Sequence, residues 1–153
     1  MLKYAKTLAF AALVGFVGTA CSSSDPAPTA STPDATLVVG EYTGNYTTLL
    51  GSGQATVKLS SPSQATIKIL VAGLPTIGEL SLDAKVSAPV NNVISFTVDK
   101  QTDSKSGVGV SAKGGKNPTG TYNTTTKQLV VDLDVTIPNN PVVISVNYIG
   151  TKK

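Results

Sequence analysis

From Leu37 onward apolar and polar residues alternate, with Gly, Pro, Asn and Ser breaking the pattern at regular intervals. A period of two turns one face of each stretch inward and the other to solvent, which is the mark of a strand. The spacing predicts strands over 37–48, 53–60, 64–72, 79–87, 92–99, 107–112, 119–124, 128–137 and 141–150. No segment carries a helical period. Short strands separated by evenly spaced turns predict an all-β fold, an antiparallel up-and-down meander closed into a barrel of about eight strands.

The pairing can be read most fully at the C-terminal end. Asn139-Asn140 lies between Pro138 and Pro141, and Asn tolerates the positive φ of a tight hairpin turn. Setting the prolines opposite each other pairs Ile137 with Val142, Val135 with Ile144, Leu133 with Val146 and Val131 with Tyr148. The other face then carries Asp132, Asp134 and Asn147, expected in solvent; a slip of one residue would bury the aspartates. The same parity recurs earlier. A turn at Ser61-Pro62-Ser63 opposes Ala55 to Ile69 and Val57 to Ile67, and an odd-length loop after Ser87 opposes Leu82 to Phe96 and Leu80 to Val98. Lys58, Lys68, Asp83 and Lys85 fall on the outer face in this reading.

The first residues follow a different logic. Lys3 and Lys6 precede an uncharged stretch over 7–20, too short for a bilayer, which needs about 20 apolar residues, but suited to a secretory signal peptide over 1–20. Gly18-Thr19-Ala20 suits ordinary signal peptidase. Thr19-Ala20-Cys21 followed by three serines also resembles a lipobox, with Gly18 standing where Leu or Val is usual. Cys21 is the sole cysteine, so it has no internal disulfide partner; it is taken as the lipid attachment site. Residues 21–36 then form the lipidated terminus and a Ser/Pro/Thr tether, and 37–153 the barrel domain. The implied setting is the outer membrane, on either face, with the bilayer as a partner.

Composition narrows the chemistry. Val, Ile and Thr make up 45 residues and Glu only two, a strand-forming balance. His, Arg and Trp are missing altogether, which removes the usual general base, the commonest metal ligand and the bidentate phosphate binder. Without Lys3 and Lys6, ten lysines face nine acids, so nothing favours nucleic acid. The segment 99–104 has acids at calcium-loop positions but lacks the sixth-position Gly, and 113–118 lacks the phosphate-loop spacing. The expectation is a protein without enzymatic activity, catalytic metal or cofactor. Tyr42, Tyr46 and Tyr122 are the candidate ligand-binding residues. Tyr42 and Tyr46 share one strand face, where their rings either flank a small gap or simply fill the barrel.

Four segments carry a resemblance. Gly40-Glu41-Tyr42-Thr43-Gly44, Gly73-Leu74-Pro75-Thr76-Ile77-Gly78, Thr119-Gly120-Thr121-Tyr122 feeding Gln128-Leu129-Val130-Val131, and Tyr148-Ile149-Gly150 together resemble the calycin-like barrel domains of lipoproteins from gut-associated Gram-negative bacteria, over roughly residues 38–150. The resemblance implies an up-and-down barrel, related in architecture to lipocalins, with no recognised enzymatic activity. Lipocalins proper have Gly-x-Trp on the first strand, where this chain has Tyr42. Two roles follow as expectations: binding of a small apolar molecule or peptide at one barrel end, or an envelope interaction module whose barrel is fully packed.

Overall fold

Buried and exposed positions alternate along every long strand of the computed structural model, which describes residues 31–103 and 105–153. The leader, Cys21 and tether residues 22–30 lie outside the described residues. Ten strands follow: β1 (Gly40–Thr48), β2 (Gly51–Ser63), β3 (Thr66–Leu74), β4 (Gly78–Val86), β5 (Val93–Thr97), β6 (Gln101–Thr102), β7 (Gly109–Ala112), β8 (Gly120–Asn123), β9 (Gln128–Thr136) and β10 (Val143–Lys152). Each long strand pairs antiparallel with its sequence neighbour, and β10 returns to pair with β1 from Tyr42–Lys152 to Thr48–Val146. The fold is a closed antiparallel barrel of eight strand positions, because β5 with β6, and β7 with β8, each share one position. β9 shows why: its second half pairs with β7 and its first half with β8, so 113–119 is an excursion opposite Asp132.

The last hairpin has the register expected of it, with Val135 opposite Ile144, Leu133 opposite Val146 and Val131 opposite Tyr148. Asn139 holds the expected positive φ, 61°. Two earlier registers differ. Leu59, not Ala55, faces Ile69, and Val86, not Leu82, faces Phe96. Both pairings shift by an even number of residues, so inward faces stay inward and Lys58, Lys68, Asp83 and Lys85 remain exposed. The cause in β2 is local: the strand continues through a bulge between Ser60 and Ser63 and turns at Gln64-Ala65. Pro62 lies in that bulge, where a missing N–H is harmless. β1 also begins at Gly40 rather than residue 37, because 35–38 form a 3-10 turn.

Aromatic rings and glycines shape the interior together. The space a side chain at Gly120 would need is filled by Phe96, at Gly150 by Tyr148, and at Gly53 by the Tyr46 hydroxyl end. Large rings leaning over inward glycines let strands bend sharply without leaving voids. One end of the barrel is sealed. The 3-10 turn tucks fully buried Ala35 and Val38 under the strand ends, and the Tyr42 hydroxyl donates to the Val38 carbonyl. Tyr42 meets Tyr122 edge to face, with centroids 5.8 Å apart, and Lys152 Nζ lies 6.0 Å from the Tyr122 ring.

Tyr148 is the exception in this well-satisfied interior, since its buried hydroxyl has no hydrogen-bond partner among the described residues. Burial pushes its pKa up to about 12. Tyr148→Phe removes an unpaired polar group at constant shape, so the variant should be as stable as the parent or more stable by up to about 1 kcal/mol. The gain should widen in alkaline solution. A phenol whose pKa is raised on folding stabilises the fold below its unfolded value and ceases to do so as pH climbs toward 12. Thermal melts of both proteins between neutral and alkaline pH check this.

Candidate functional site

The strand directions place the 49–50, 75–77, 103–108 and 137–142 connections at the end opposite the 3-10 turn. This end is open. A cavity of about 200 Å³ is lined by Tyr46, Thr48, Leu50, Gly51, Ser52, Leu74, Pro75, Thr76, Ile77 and Ile144, with no charged side chain among them. Its rim is apolar. Leu49 is 83% exposed, Leu50 67%, Val142 52% and Val143 45%. Leucines at a two-residue hairpin tip are unexpected, because such tips usually hold Asn or Gly. The two pairs adjoin, since β10 and β1 are neighbours in the sheet, and an apolar patch rimmed by polar residues marks a contact surface.

The β3–β4 turn that floors the mouth carries backbone strain. Thr76 has φ 74°, a left-handed conformation that a β-branched residue adopts only under constraint. Such strain, of order 1–3 kcal/mol, gathers at binding and switch sites.

The far wall is held by a carboxylate. Asp103 is 1% exposed and accepts hydrogen bonds from the backbone N–H of Ser81 on β4, of Lys105 at 2.8 Å and of Ser106 at 2.9 Å, and from the Ser106 hydroxyl at 3.1 Å. Burial works to raise its pKa, and these donors outweigh it, holding the Asp103 carboxyl below the usual carboxylate range. Lys105 pairs with Glu79 at 2.8 Å across the same junction. Read as a charged loop acid in the sequence, Asp103 is the buried staple of loop 103–108.

The three candidate tyrosines are not brought together. Tyr46, 6% exposed, lines the mouth. Tyr42 and Tyr122 lie at the sealed end, shut off from solvent. Burial, followed by the neighbouring Tyr122 and Tyr148, raises the Tyr42 pKa well above its ordinary value. Sequence reasoning missed the aliphatic residues of the mouth, although Leu49-Leu50 between two strands was a visible anomaly. Asp132 and Asp134, expected in solvent, are half-buried. Asp132 accepts from the Asn147 amide at 2.7 Å, and Asp134 from the Ser145 hydroxyl at 2.6 Å and the Gly114 N–H at 2.7 Å. The first two are directly opposed pairs of the β9–β10 ladder, and the third comes from the 113–119 excursion beside β9. Among the described residues no three acidic, His or Cys side chains gather as a metal-holding group.

The chain was compared with known proteins. No family model matches it, and no curated protein matches its sequence. Solved structures do resemble it. A protein described as a "putative outer membrane protein" from Bacteroides fragilis NCTC 9343 superposes with a TM-score of 0.56 at 15% identity, covering 79% of this chain and 53% of the other. The present chain thus matches about half the length of that protein. EF1p2_mFAP2b, bound to DFHBI, superposes with a TM-score of 0.50 at 12% identity over 79% of this chain and 98% of that one. At such identities the likeness establishes the barrel fold.

Proposed function

We propose that this protein is a non-enzymatic, lipid-anchored outer-membrane lipoprotein with a calycin-like barrel whose open mouth binds a small uncharged apolar molecule or an apolar peptide. The difference between the two barrel ends carries this reading. One end is plugged by the 3-10 turn and the Tyr42–Tyr122 pair, whereas the other presents an uncharged cavity lined by Leu50, Leu74, Ile77 and Ile144, with Leu49, Val142 and Val143 exposed at the same end. A similar barrel bound to DFHBI supports a scaffold of this kind as a ligand holder, and the Bacteroides fragilis protein supports an envelope setting. Cys21 is the proposed acylation site; the proposed tether, expected over 22–36, ends before Asp34, because Asp34 caps the 3-10 turn and Ala35 is packed in the plug. The chain enters the barrel at the plugged end.

Leu50→Asp tests the mouth, since Leu50 is largely exposed and the substitution leaves the core alone. A neutral environment-sensitive dye should bind the parent and lose affinity at least tenfold in the variant, because a dye seated against position 50 would strip a carboxylate there of its hydration. Equal binding by both proteins would discard the reading. Cys21→Ser should shift the protein from membranes to the soluble fraction; a parent already soluble, with an unmodified Cys21, would exclude the anchor. The second reading, an envelope interaction module, draws on the filled interior and on a cavity below the usual ligand-site range of about 300–1,000 Å³. Native mass spectrometry of protein released from its own membrane separates a small ligand from a protein partner.

A further inference from the structure

Two stretches of the barrel wall lack strand pairing near the mouth. Between β4 and β5 the ladder covers only Lys85–Thr97 and Val86–Phe96, but side chains stitch the gap: Gln101 Nε2 donates to the Asp83 carbonyl at 3.2 Å, and Asp103 takes the Ser81 N–H. The seam between β2 and β3 is different. Its ladder stops at Thr56–Ala72, and no side-chain hydrogen bond among the described residues crosses it beyond that pair. Gly73, at φ 93°, and the bulge between Val71 and Leu74 draw β3 toward β4.

The backbone groups left along this seam can be identified. The β1–β2 hairpin closes on Thr48–Gly51 across a two-residue tip, which makes that pair a hydrogen-bonded one. Odd-numbered residues of β2 therefore turn their N–H and C=O to β1, and Ser52 and Gln54 turn theirs to the seam. The position of Gly73 agrees, for a Cβ there would lie 3.3 Å from the Gln54 carbonyl oxygen. Gly73 closes the seam at Gln54, whereas Ser52 faces the mouth cavity and is exposed. Outside the wall a groove of about 630 Å³ lies across β1, β2 and β3 and adjoins the seam at Gln54 and Gly73, with Thr43, Asn45, Thr56 and Ala72 also in its lining and no charged residue.

We propose that this seam receives an extended, uncharged peptide segment as an added strand, its backbone paired with Ser52 and one apolar side chain seated in the mouth. The proposal rests on the mouth being a binding site and names its occupant. Strand addition needs exposed backbone donors and acceptors with pockets for alternate side chains. Here the pockets differ in kind: apolar at Leu50, Leu74 and Ile77, and polar at Thr43, Asn45 and Gln54. A charged side chain would lose hydration in either without gaining a partner.

Ser52→Pro provides the test. If the Ser52 N–H is unused within the fold, proline there is tolerated as at a sheet edge, and the unfolding midpoint should stay near that of the parent. A capped hexapeptide alternating Thr and Leu should bind the parent, and bind Ser52→Pro at least tenfold more weakly. N-methylation of one alternate set of its amides should weaken binding as much, and of the other set very little. Unchanged affinity for Ser52→Pro, equal effects of the two methylation patterns, or no peptide binding would each overturn the proposal. Unfolding of Ser52→Pro would also overturn it, by showing that N–H already bonded within the barrel. The neutral dye distinguishes the two levels. Dye binding without peptide binding leaves the mouth as a small-molecule site, and loss of both removes the mouth reading as well.

Discussion

Gly44→Ala is expected to destabilise the barrel by about 4 kcal/mol or more, beyond the roughly 1–3 kcal/mol of ordinary overpacking. Gly44 stands opposite Gly150 on one side and Ala55 on the other. A Cβ at Gly44 would collide with the carbonyl of Ile149 and the Cα of Gly150. Those atoms are backbone of the strand that closes the barrel, so no side-chain rotation relieves the contact. The ring must open locally between β1 and β10 or the strands must separate. Gly53→Ala is the matched control. Its Cβ would meet the Tyr46 hydroxyl at 2.8 Å, the far end of a side chain bordering an open cavity, so a small rotation suffices and the cost should be about 1 kcal/mol or less. Urea unfolding separates the two cases. At a typical slope of 1–3 kcal/mol per molar, the Gly44 variant should lose about 2 M in midpoint. A Gly44→Ala midpoint equal to the parent's would refute the account of closure.

Asp103→Ala is expected to cost about 3 kcal/mol. It leaves the N–H groups of Ser81, Lys105 and Ser106 without their acceptor, and each buried amide left unpaired costs about 1–3 kcal/mol unless water reaches it. Two of the three sit on the loop, which can open, so the total falls short of three full penalties. The pH dependence has a definite sign. Donors hold the folded carboxyl below its ordinary range, so its contribution is complete above the unfolded value of about 4 and disappears as pH falls through the folded value. Asp103→Asn should lack that acid-side loss while being less stable than the parent at neutral pH. Parallel acid titrations followed by tryptophan-free far-ultraviolet dichroism would show it; identical acid limbs would assign the loss to other carboxylates.

The part of this fold legible in the sequence was the part governed by parity. Within the strands, inward and outward faces were assigned correctly even where pairing partners were not, because an even shift preserves the face; Val142, expected inward, lies before β10 and is exposed. Register was readable at Ile144 and Val135, where Pro138, Asn139, Asn140 and Pro141 confine the turn. It was not readable across Ser60 to Ser63, where a bulge absorbs residues that alternation alone counts as paired. Strands 107–112 and 119–124 were visible as two segments, but their sharing of one barrel position depends on β9 passing from one to the other. The candidate site was less legible. Tyr46 was found through its ring, whereas Leu74, Ile77 and Ile144 look like any other core aliphatics until the strand ends are placed. Asp103 left a fainter signal. An Asp four residues before Gly107 suits a turn capped by its own side chain, a motif hidden by the search for cation ligands.

Closure of β1 against β10 also has a consequence in time. Tyr42 pairs with Lys152, so the ring joins the two ends of the domain, and this contact closes the longest loop in the barrel. The hairpins can form as soon as their residues are available, but the final seam must wait for the last ones. Until then β1 and the growing C-terminal strand present unpaired edges, the condition under which partly built sheets associate with one another. Folding of this barrel should therefore be governed by a late, long-range step of the kind that slows β-rich domains to milliseconds or seconds, and losing the last few residues would unpair the Tyr42 end of the β1–β10 ladder.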